Sequence, residues 1–220
     1  MKKTVTELVF ILDKSGSMAG LEADTIGGYN AMLKKQKESG GEVRLTTVLF
    51  DNQYHLLHDR LDLKSVSPIT HEDYYVGGST ALLDAMGHTI QKIDSVRRHT
   101  AAAYRADKVL FVITTDGMEN ASREYSHKKI KSMVEHQKEE YGWEFIFLGA
   151  NIDAVETAEQ FGIGANRAQS YHSDKAGTQL NYQVLSDTVC EFVKKAAISP
   201  DWNAEIAADF AERSNTAPGE

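Results

Sequence analysis

Short, uninterrupted runs of apolar residues alternate along this chain with longer segments of helical period. The runs include TELVFIL, VRLTTVLF, KVLFVITT and WEFIFLG. Strands that are buried on both faces of a parallel sheet have such continuous apolar sequences. Segments between them, such as LEADTIGGYNAMLKKQKES, space their apolar residues as on one face of a helix. The alternation predicts an α/β domain with a doubly wound, mostly parallel central sheet and helices on both faces.

One pair of predicted strands breaks this alternation. VRLTTVLF and YHLLH are joined only by DNQ, a linker suited to a hairpin, so one antiparallel edge strand is expected. A last strand at AQSYH and a closing helix complete the domain, which is assigned to residues 4–197. Residues 198–220 are predicted to form a short helix around 202–213 and then a frayed end. That helix either docks on its own domain or serves as a motif for a partner.

Composition excludes several classes of function. The 220 residues are 41% hydrophobic and include only three prolines, as in ordinary folded domains. A net charge of -8 argues against nonspecific binding to nucleic acid or to an anionic membrane. The single cysteine, Cys190, excludes an internal disulfide and a Cys-rich metal site, and is expected to be buried. Glu7 and Asp13 interrupt the first apolar run, which is too short for an export signal, so a cytoplasmic location is expected.

Polar side chains follow two of the predicted parallel strands. Asp13 ends the first strand, and Asp116 follows KVLFVITT. In open α/β sheets ligands bind beyond the carboxyl ends of the strands, so both carboxylates are expected at the same edge. Asp13, Ser15 and Ser17 occupy alternate positions, which lets their side chains face one side of an extended segment.

A third contribution to this edge comes from VGGSTALLDA. Its two glycines permit a sharp turn, and Ser79 or Thr80 is predicted to start the next helix. Carboxylates and hydroxyls without His or Cys form a set of hard oxygen ligands, which suits Mg²⁺ or Mn²⁺, with Ca²⁺ as a further candidate. Two adjacent carboxylates repel each other unless a proton or a cation intervenes, and this also favours a divalent ion.

These residues resemble the metal-ion-dependent adhesion site of von Willebrand factor type A domains. The family pattern is Asp-x-Ser-x-Ser, then a distant threonine and a distant aspartate. DKSGSM, the threonine of GGSTALLDA and the aspartate of ITTDGMEN match it in order. The resemblance implies that Ser15, Ser17 and Thr80 supply hydroxyl ligands. It also implies that Asp13 and Asp116 bind the ion directly or through water.

The resemblance covers residues 4–197 and is to intracellular proteins of bacterial or phage type. In this family the fold is a doubly wound sheet, and a partner protein's carboxylate fills the remaining coordination position of the metal. The implied function is a noncatalytic, metal-dependent protein-interaction module. Its partner would be a protein that presents an Asp or Glu carboxylate, rather than a nucleic acid or a membrane.

Two other functions are compatible with the same residues. A Mg²⁺-dependent phosphohydrolase or phosphotransferase would use Asp13 as its nucleophile. Against this, Ser15 stands where aspartyl-phosphate hydrolases carry a second acid. The remaining alternative is a structural subunit with a vestigial site.

Several residues near the predicted site have two interpretations each. Glu119 and Asn120 either cap the next turn or contact the metal-binding residues. Asp84 either orients a metal-bound water or is a charge near the start of its helix. Tyr74 and Tyr75 either anchor a partner or pack within the domain.

Overall fold

Six strands form one sheet between two layers of helices in the computed structural model, which describes residues 4–216. The strands are β1 (Val5–Asp13), β2 (Glu42–Phe50), β3 (Tyr54–Asp62), β4 (Lys108–Thr115), β5 (Glu144–Ala150) and β6 (Ala168–Tyr171). The helices are α1 (Glu22–Ser39), α2 (Leu82–His99), α3 (His127–Tyr141), α4 (Ala154–Gln160), α5 (Lys175–Lys195) and α6 (Ala204–Thr216). Among residues 4–216, no helix combines the length and apolar content that crossing a bilayer requires.

The strand order is β3-β2-β1-β4-β5-β6, and every neighbouring pair except β2 and β3 is parallel. Residues 51–53 make the turn between β2 and β3, where Asp51 Oδ1 accepts a hydrogen bond from the Gln53 N–H at 2.6 Å. β3 is therefore the antiparallel edge strand. The predicted fold class, a doubly wound and mostly parallel sheet with one antiparallel edge, is confirmed.

The continuous apolar run of β1 reflects its position at the centre of the sheet. All nine of its residues are buried. Leu8, Phe10 and Leu12 point into the core shared with α1, α5 and α6. Val9 and Ile11 point into the second core, beneath α2, α3 and α4. Because both faces are covered, neither face of the strand carries the polar alternation typical of a half-exposed sheet.

A close contact between α1 and α5 explains a glycine in the first helix. A Cβ atom at Gly28 would lie 2.4 Å from the ring of Tyr182, which is 6% exposed. Any larger residue at this position would force the two helices apart. The glycine lowers helix propensity by about 1 kcal/mol relative to alanine, and the packing against Tyr182 offsets that cost.

The C-terminal helix packs onto the domain. Trp202 and Ile206, which are 7% and 1% exposed, belong to the core cluster beneath α1 and α5, and the Trp202 indole N–H donates to the carbonyl of Asn166 at 2.9 Å. Of the two predicted roles for α6, docking on its own domain is the one observed. The division at residue 197 stays a prediction, and the predicted frayed end falls largely outside residues 4–216.

Candidate metal centre

The carboxyl ends of two central strands bring the two predicted aspartates to one edge of the sheet. β1 and β4 are parallel neighbours. Asp13 is the last residue of β1, and Asp116 directly follows β4. Each is only 1% exposed, although each lies next to a loop at the surface of the domain.

A backbone hydrogen bond joins the loop that carries Thr80 to the loop that carries the two serines. The Gly16 N–H donates to the carbonyl of Gly78 at 3.1 Å. Gly78 has a φ of 75°, and a Cβ there would lie 2.3 Å from Asn52 Oδ1, so only glycine fits this close approach. Thr80 is thereby held beside the residues that follow β1.

Asp13 uses both of its carboxylate oxygens within the protein. Oδ1 accepts a hydrogen bond from the Ser15 N–H at 2.7 Å, and Oδ2 accepts one from the Thr115 hydroxyl at 2.6 Å. Burial raises the pKa of Asp13 above its usual value. The hydrogen bonds from Ser15 and Thr115 oppose that shift, and the charge of Asp116 adds to it. The donors to Asp13 are neutral, so they do not cancel its negative charge.

Three hydroxyls lie together beside the aspartates. Ser15 Oγ and Ser17 Oγ are 3.1 Å apart. A Cβ built on Gly117 would lie 3.3 Å from Ser17 Oγ and 3.6 Å from Thr80 Oγ1, so both hydroxyls face this glycine. Ser15 and Thr80 are buried whereas Ser17 is exposed, and the cluster therefore opens to solvent on the Ser17 side.

Asp116 differs from Asp13 because only one of its carboxylate oxygens accepts a hydrogen bond within residues 4–216. Its Oδ2 accepts a hydrogen bond from the Ser173 hydroxyl at 2.8 Å. Its Oδ1 is buried and has no hydrogen-bond partner among residues 4–216. A buried polar atom without a partner destabilises a fold by about 1–3 kcal/mol, and by more when the group is charged. Asp116 adjoins Gly117, which faces two of the hydroxyls, and its charge acts on Asp13, so this oxygen is a fitting ligand for a cation.

The available donors suit a hard cation. Within the described residues, no group of three or more His, Cys, Asp or Glu side chains is placed to hold a metal. The five predicted residues instead offer two carboxylates and three hydroxyls. Oxygen donors of low total charge match the preference of Mg²⁺ and Mn²⁺, which usually retain water as well.

The helix after Thr80 begins later than predicted. α2 starts at Leu82, and Thr80 lies in the preceding loop. The Thr80 N–H donates to Asn120 Oδ1 at 3.0 Å, and its carbonyl accepts from the N–H groups of Asn120 and Ala121. Because the neighbouring loop uses the Thr80 carbonyl, and the Asp84 N–H four residues later donates to Ser122 Oγ at 3.0 Å, Thr80 does not join the helical hydrogen-bond ladder. Asn120 thus contacts a predicted metal-binding residue rather than capping a following turn.

Glu119 and Asp84 hold the loop after β4 against the start of α2. Glu119 accepts hydrogen bonds from the N–H groups of Leu83, Ala121 and Ser122 at 2.8–2.9 Å. It therefore accepts hydrogen bonds both from its own loop and from the first turn of α2, and so joins the two. Asp84 accepts hydrogen bonds from the N–H groups of residues 123–125, also at 2.8–2.9 Å. Both of its oxygens serve this loop, which argues for a structural role.

The two tyrosines of HEDYYVGG have different roles. Tyr74 is fully buried, and its hydroxyl donates to the carbonyl of Asp13 at 2.6 Å. Tyr75 is 61% exposed. Packing is therefore the role of Tyr74, and only Tyr75 remains available to a partner.

Several residues around the site were not identified from the sequence. They are Lys14, Asp51, Thr115, Asn151 and Ser173. All of them end or closely follow a strand whose carboxyl end lies at this edge. Their position after a strand is the sequence signal that marks them, and the family pattern does not include them. Asn151, for example, has a φ of 56° and donates through Nδ2 to the carbonyl of Asp116 at 3.2 Å.

Comparison with solved structures identifies the fold as that of von Willebrand factor type A domains. The vWF domain of the type V pili tip protein Mfa5 from Porphyromonas gingivalis superposes with a TM-score of 0.62 at 11% identity, covering 90% of this chain and 99% of that one. A von Willebrand factor type A protein from Catenulispora acidiphila gives 0.58 at 12% identity, covering 86% and 43%. At such identities the likeness establishes the fold alone.

A third similar structure contains a metal. It is proximal thread matrix protein 1 from the mussel byssus with a zinc-occupied MIDAS motif, at a TM-score of 0.60 and 14% identity, covering 86% of this chain and 48% of that one. The present chain thus spans less than half the length of the Catenulispora and byssus proteins. The sequence matches no family model and no curated protein.

Proposed function

We propose that this chain is a noncatalytic, metal-dependent protein-interaction module. A divalent cation, Mg²⁺ or Mn²⁺, is held by the hydroxyls of Ser15, Ser17 and Thr80, with Asp13 and Asp116 binding it directly or through water. The observation that carries the proposal is the buried, unpartnered Oδ1 of Asp116 beside these hydroxyls. When bound, the cation supplies an open coordination position for the Asp or Glu carboxylate of a partner protein.

The surroundings of Asp13 favour binding over catalysis. Its oxygens accept hydrogen bonds from the Ser15 N–H and the Thr115 hydroxyl, and the side chain is 1% exposed. A carboxylate nucleophile needs an accessible oxygen to attack a phosphoryl group. Asp13 instead organises the loop that presents the two serines, which is what a rigid metal site requires.

The zinc found in the MIDAS motif of the similar byssus protein supports a divalent ion in this fold. We extend that to the present site because the donor types here suit a divalent ion. The cytoplasmic location likewise remains our proposal from the sequence. A partner that presents a carboxylate follows from the chemistry of a cation bound mainly by neutral hydroxyls, which retains affinity for a further anion.

Calorimetric titration of Mg²⁺ and Mn²⁺ tests the site. We expect one ion per chain for the wild type and at least a tenfold loss of affinity in Thr80→Ala. The matched control is Thr89→Ala, since Thr89 is a fully buried threonine in α2 whose hydroxyl donates to the Ala85 carbonyl at 2.6 Å. This control should bind like the wild type. Failure of the wild type to bind either ion would contradict the proposed function, and unchanged binding in Thr80→Ala would contradict the assigned site.

A further inference from the structure

Two large hydrophobic side chains are exposed on the loops that carry the proposed metal ligands. Tyr75 is 61% exposed and precedes Thr80 by five residues, and Met118 is 73% exposed and follows Asp116 by two. Single exposed hydrophobic residues are common, but these two lie on two different loops that each carry a proposed ligand. Tyrosine and methionine are also enriched in protein interfaces.

Both side chains are anchored close to the metal-binding hydroxyls. Met118 adjoins Gly117, where a built Cβ would lie 3.3 Å from Ser17 Oγ and 3.6 Å from Thr80 Oγ1. Tyr75 follows Tyr74, whose hydroxyl is bonded to the carbonyl of Asp13. We refer to Tyr75 and Met118, exposed on two loops that carry proposed ligands, as the apolar rim.

The cation next to this rim is already neutralised. Lys14 is 4% exposed, and its ammonium lies 2.5 Å from Asp51 Oδ2. The ring of Tyr75 covers the same ammonium, with 4.5 Å between Nζ and the ring centroid. Lys14 is therefore paired and covered and does not attract a ligand anion. Attraction for an anion at this surface comes from the bound metal, while the rim beside it is apolar.

We propose that the partner segment presents an Asp or Glu flanked by apolar side chains, which pack on Tyr75 and Met118 while the carboxylate reaches the metal. This inference rests on the proposed function and adds the chemical class of the partner. A neighbouring leucine that buries about 100 Å² of apolar surface at the rim strengthens binding by about tenfold or more.

Three capped tripeptides test the inference by NMR titration of the protein saturated with Mg²⁺. Their sequences are Leu-Asp-Leu, Gly-Asp-Gly and Leu-Asn-Leu. We expect Leu-Asp-Leu to bind about tenfold or more tighter than Gly-Asp-Gly, and Leu-Asn-Leu to bind too weakly to measure. The double variant Tyr75→Ser/Met118→Ser should bring the two aspartate peptides to nearly equal affinity, with Mg²⁺ binding unchanged. Tyr104→Ser is the matched control, because Tyr104 is 72% exposed but lies before β4, away from the carboxyl edge.

The outcomes separate this inference from the proposed function. If both aspartate peptides bind the wild type equally and only with Mg²⁺, the rim does not contribute to binding and this inference is wrong. The proposed metal-bridged module would then still hold. A tenfold preference that persists in the double variant would also overturn the rim. If neither aspartate peptide binds the Mg²⁺-saturated protein, the metal-bridged mechanism itself is wrong.

Discussion

Each end of β1 has a buried carboxylate, and the two carboxylates have different partners. Glu7, toward the amino end, is 2% exposed and pairs with Arg60 Nε at 2.9 Å. Asp13, at the carboxyl end, is 1% exposed and accepts hydrogen bonds from neutral groups, with Asp116 beside it. Within the part of the chain that the structure describes, neither aspartate forms an ion pair. Burial raises the pKa of Glu7 and of Asp13 alike.

This difference separates a structural carboxylate from a binding site. At the amino end the chain supplies its own counter-charge, so the Glu7 and Arg60 pair is complete without a ligand. At the carboxyl end two buried carboxylates lie at one sheet edge, and neither is paired with a cation among residues 4–216. A cation from solution would stabilise such an arrangement, since a nearby positive charge favours ionised carboxylates.

The largest effect is expected from breaking the pair at the amino end. Arg60→Leu removes the cation that is hydrogen-bonded to buried Glu7 and leaves the weaker influence of Arg44, so it should lower the free energy of unfolding by about 3 kcal/mol, measured by urea denaturation with EDTA present. Glu7→Leu/Arg60→Leu should recover most of that loss. The control Lys92→Met breaks an exposed pair with Asp59 and should cost about 0.5 kcal/mol. If Arg60→Leu and Lys92→Met lower the free energy of unfolding by similar amounts, the Glu7 and Arg60 pair is no more important than an exposed pair. The proposed difference between the two ends of β1 would then be wrong.

A comparable effect is expected from filling the site at the carboxyl end. Mg²⁺ at about one hundred times its dissociation constant should raise the free energy of unfolding by about 2.7 kcal/mol, because it binds only the folded state. The increment should vanish in Thr80→Ala and persist in Arg60→Leu. Urea denaturation with and without Mg²⁺ measures it. An equal increment in Thr80→Ala would place the ion elsewhere.

The strands could be predicted because buried parallel strands are uniformly apolar, as in β1. The five candidate ligands could be predicted because Asp13, Ser15 and Ser17 are close in sequence, and because the whole set resembles a family pattern. The sequence could not predict contacts that depend on three-dimensional packing. Ser173 reaches Asp116 from the loop after β6, on the far side of β5, which no spacing in the sequence indicates. The late start of α2 has the same origin, since the N–H groups of Asn120 and Ala121 in another loop take the Thr80 carbonyl.

A smaller effect of opposite sign is expected from neutralising an acid at each end. Without metal, Asp116→Asn removes a buried charge whose Oδ1 has no partner and keeps an acceptor for Ser173. We expect it to leave the free energy of unfolding unchanged or to raise it by up to about 1 kcal/mol. Glu7→Gln should lower it by about 1 kcal/mol, because Arg60 loses its counter-charge. Urea denaturation in EDTA compares them, and a larger loss in Asp116→Asn than in Glu7→Gln would reverse the assignment of roles.

The smallest effect is a difference in pH dependence at Asp13. Burial raises the pKa of folded Asp13 above its ordinary 3.8. The stabilisation that Asp13 gives the folded state is therefore fully present below pH 3.8 and is lost as pH rises through the folded pKa. In EDTA, the stability of the wild type relative to Asp13→Asn should therefore fall as pH rises above about 4. Saturating Mg²⁺ should reverse the trend for the wild type, since the cation favours the ionised carboxylate. Urea denaturation across pH 4–7 measures both slopes, and parallel curves for the wild type and Asp13→Asn under both conditions would show that Asp13 carries no uncompensated charge in the folded state.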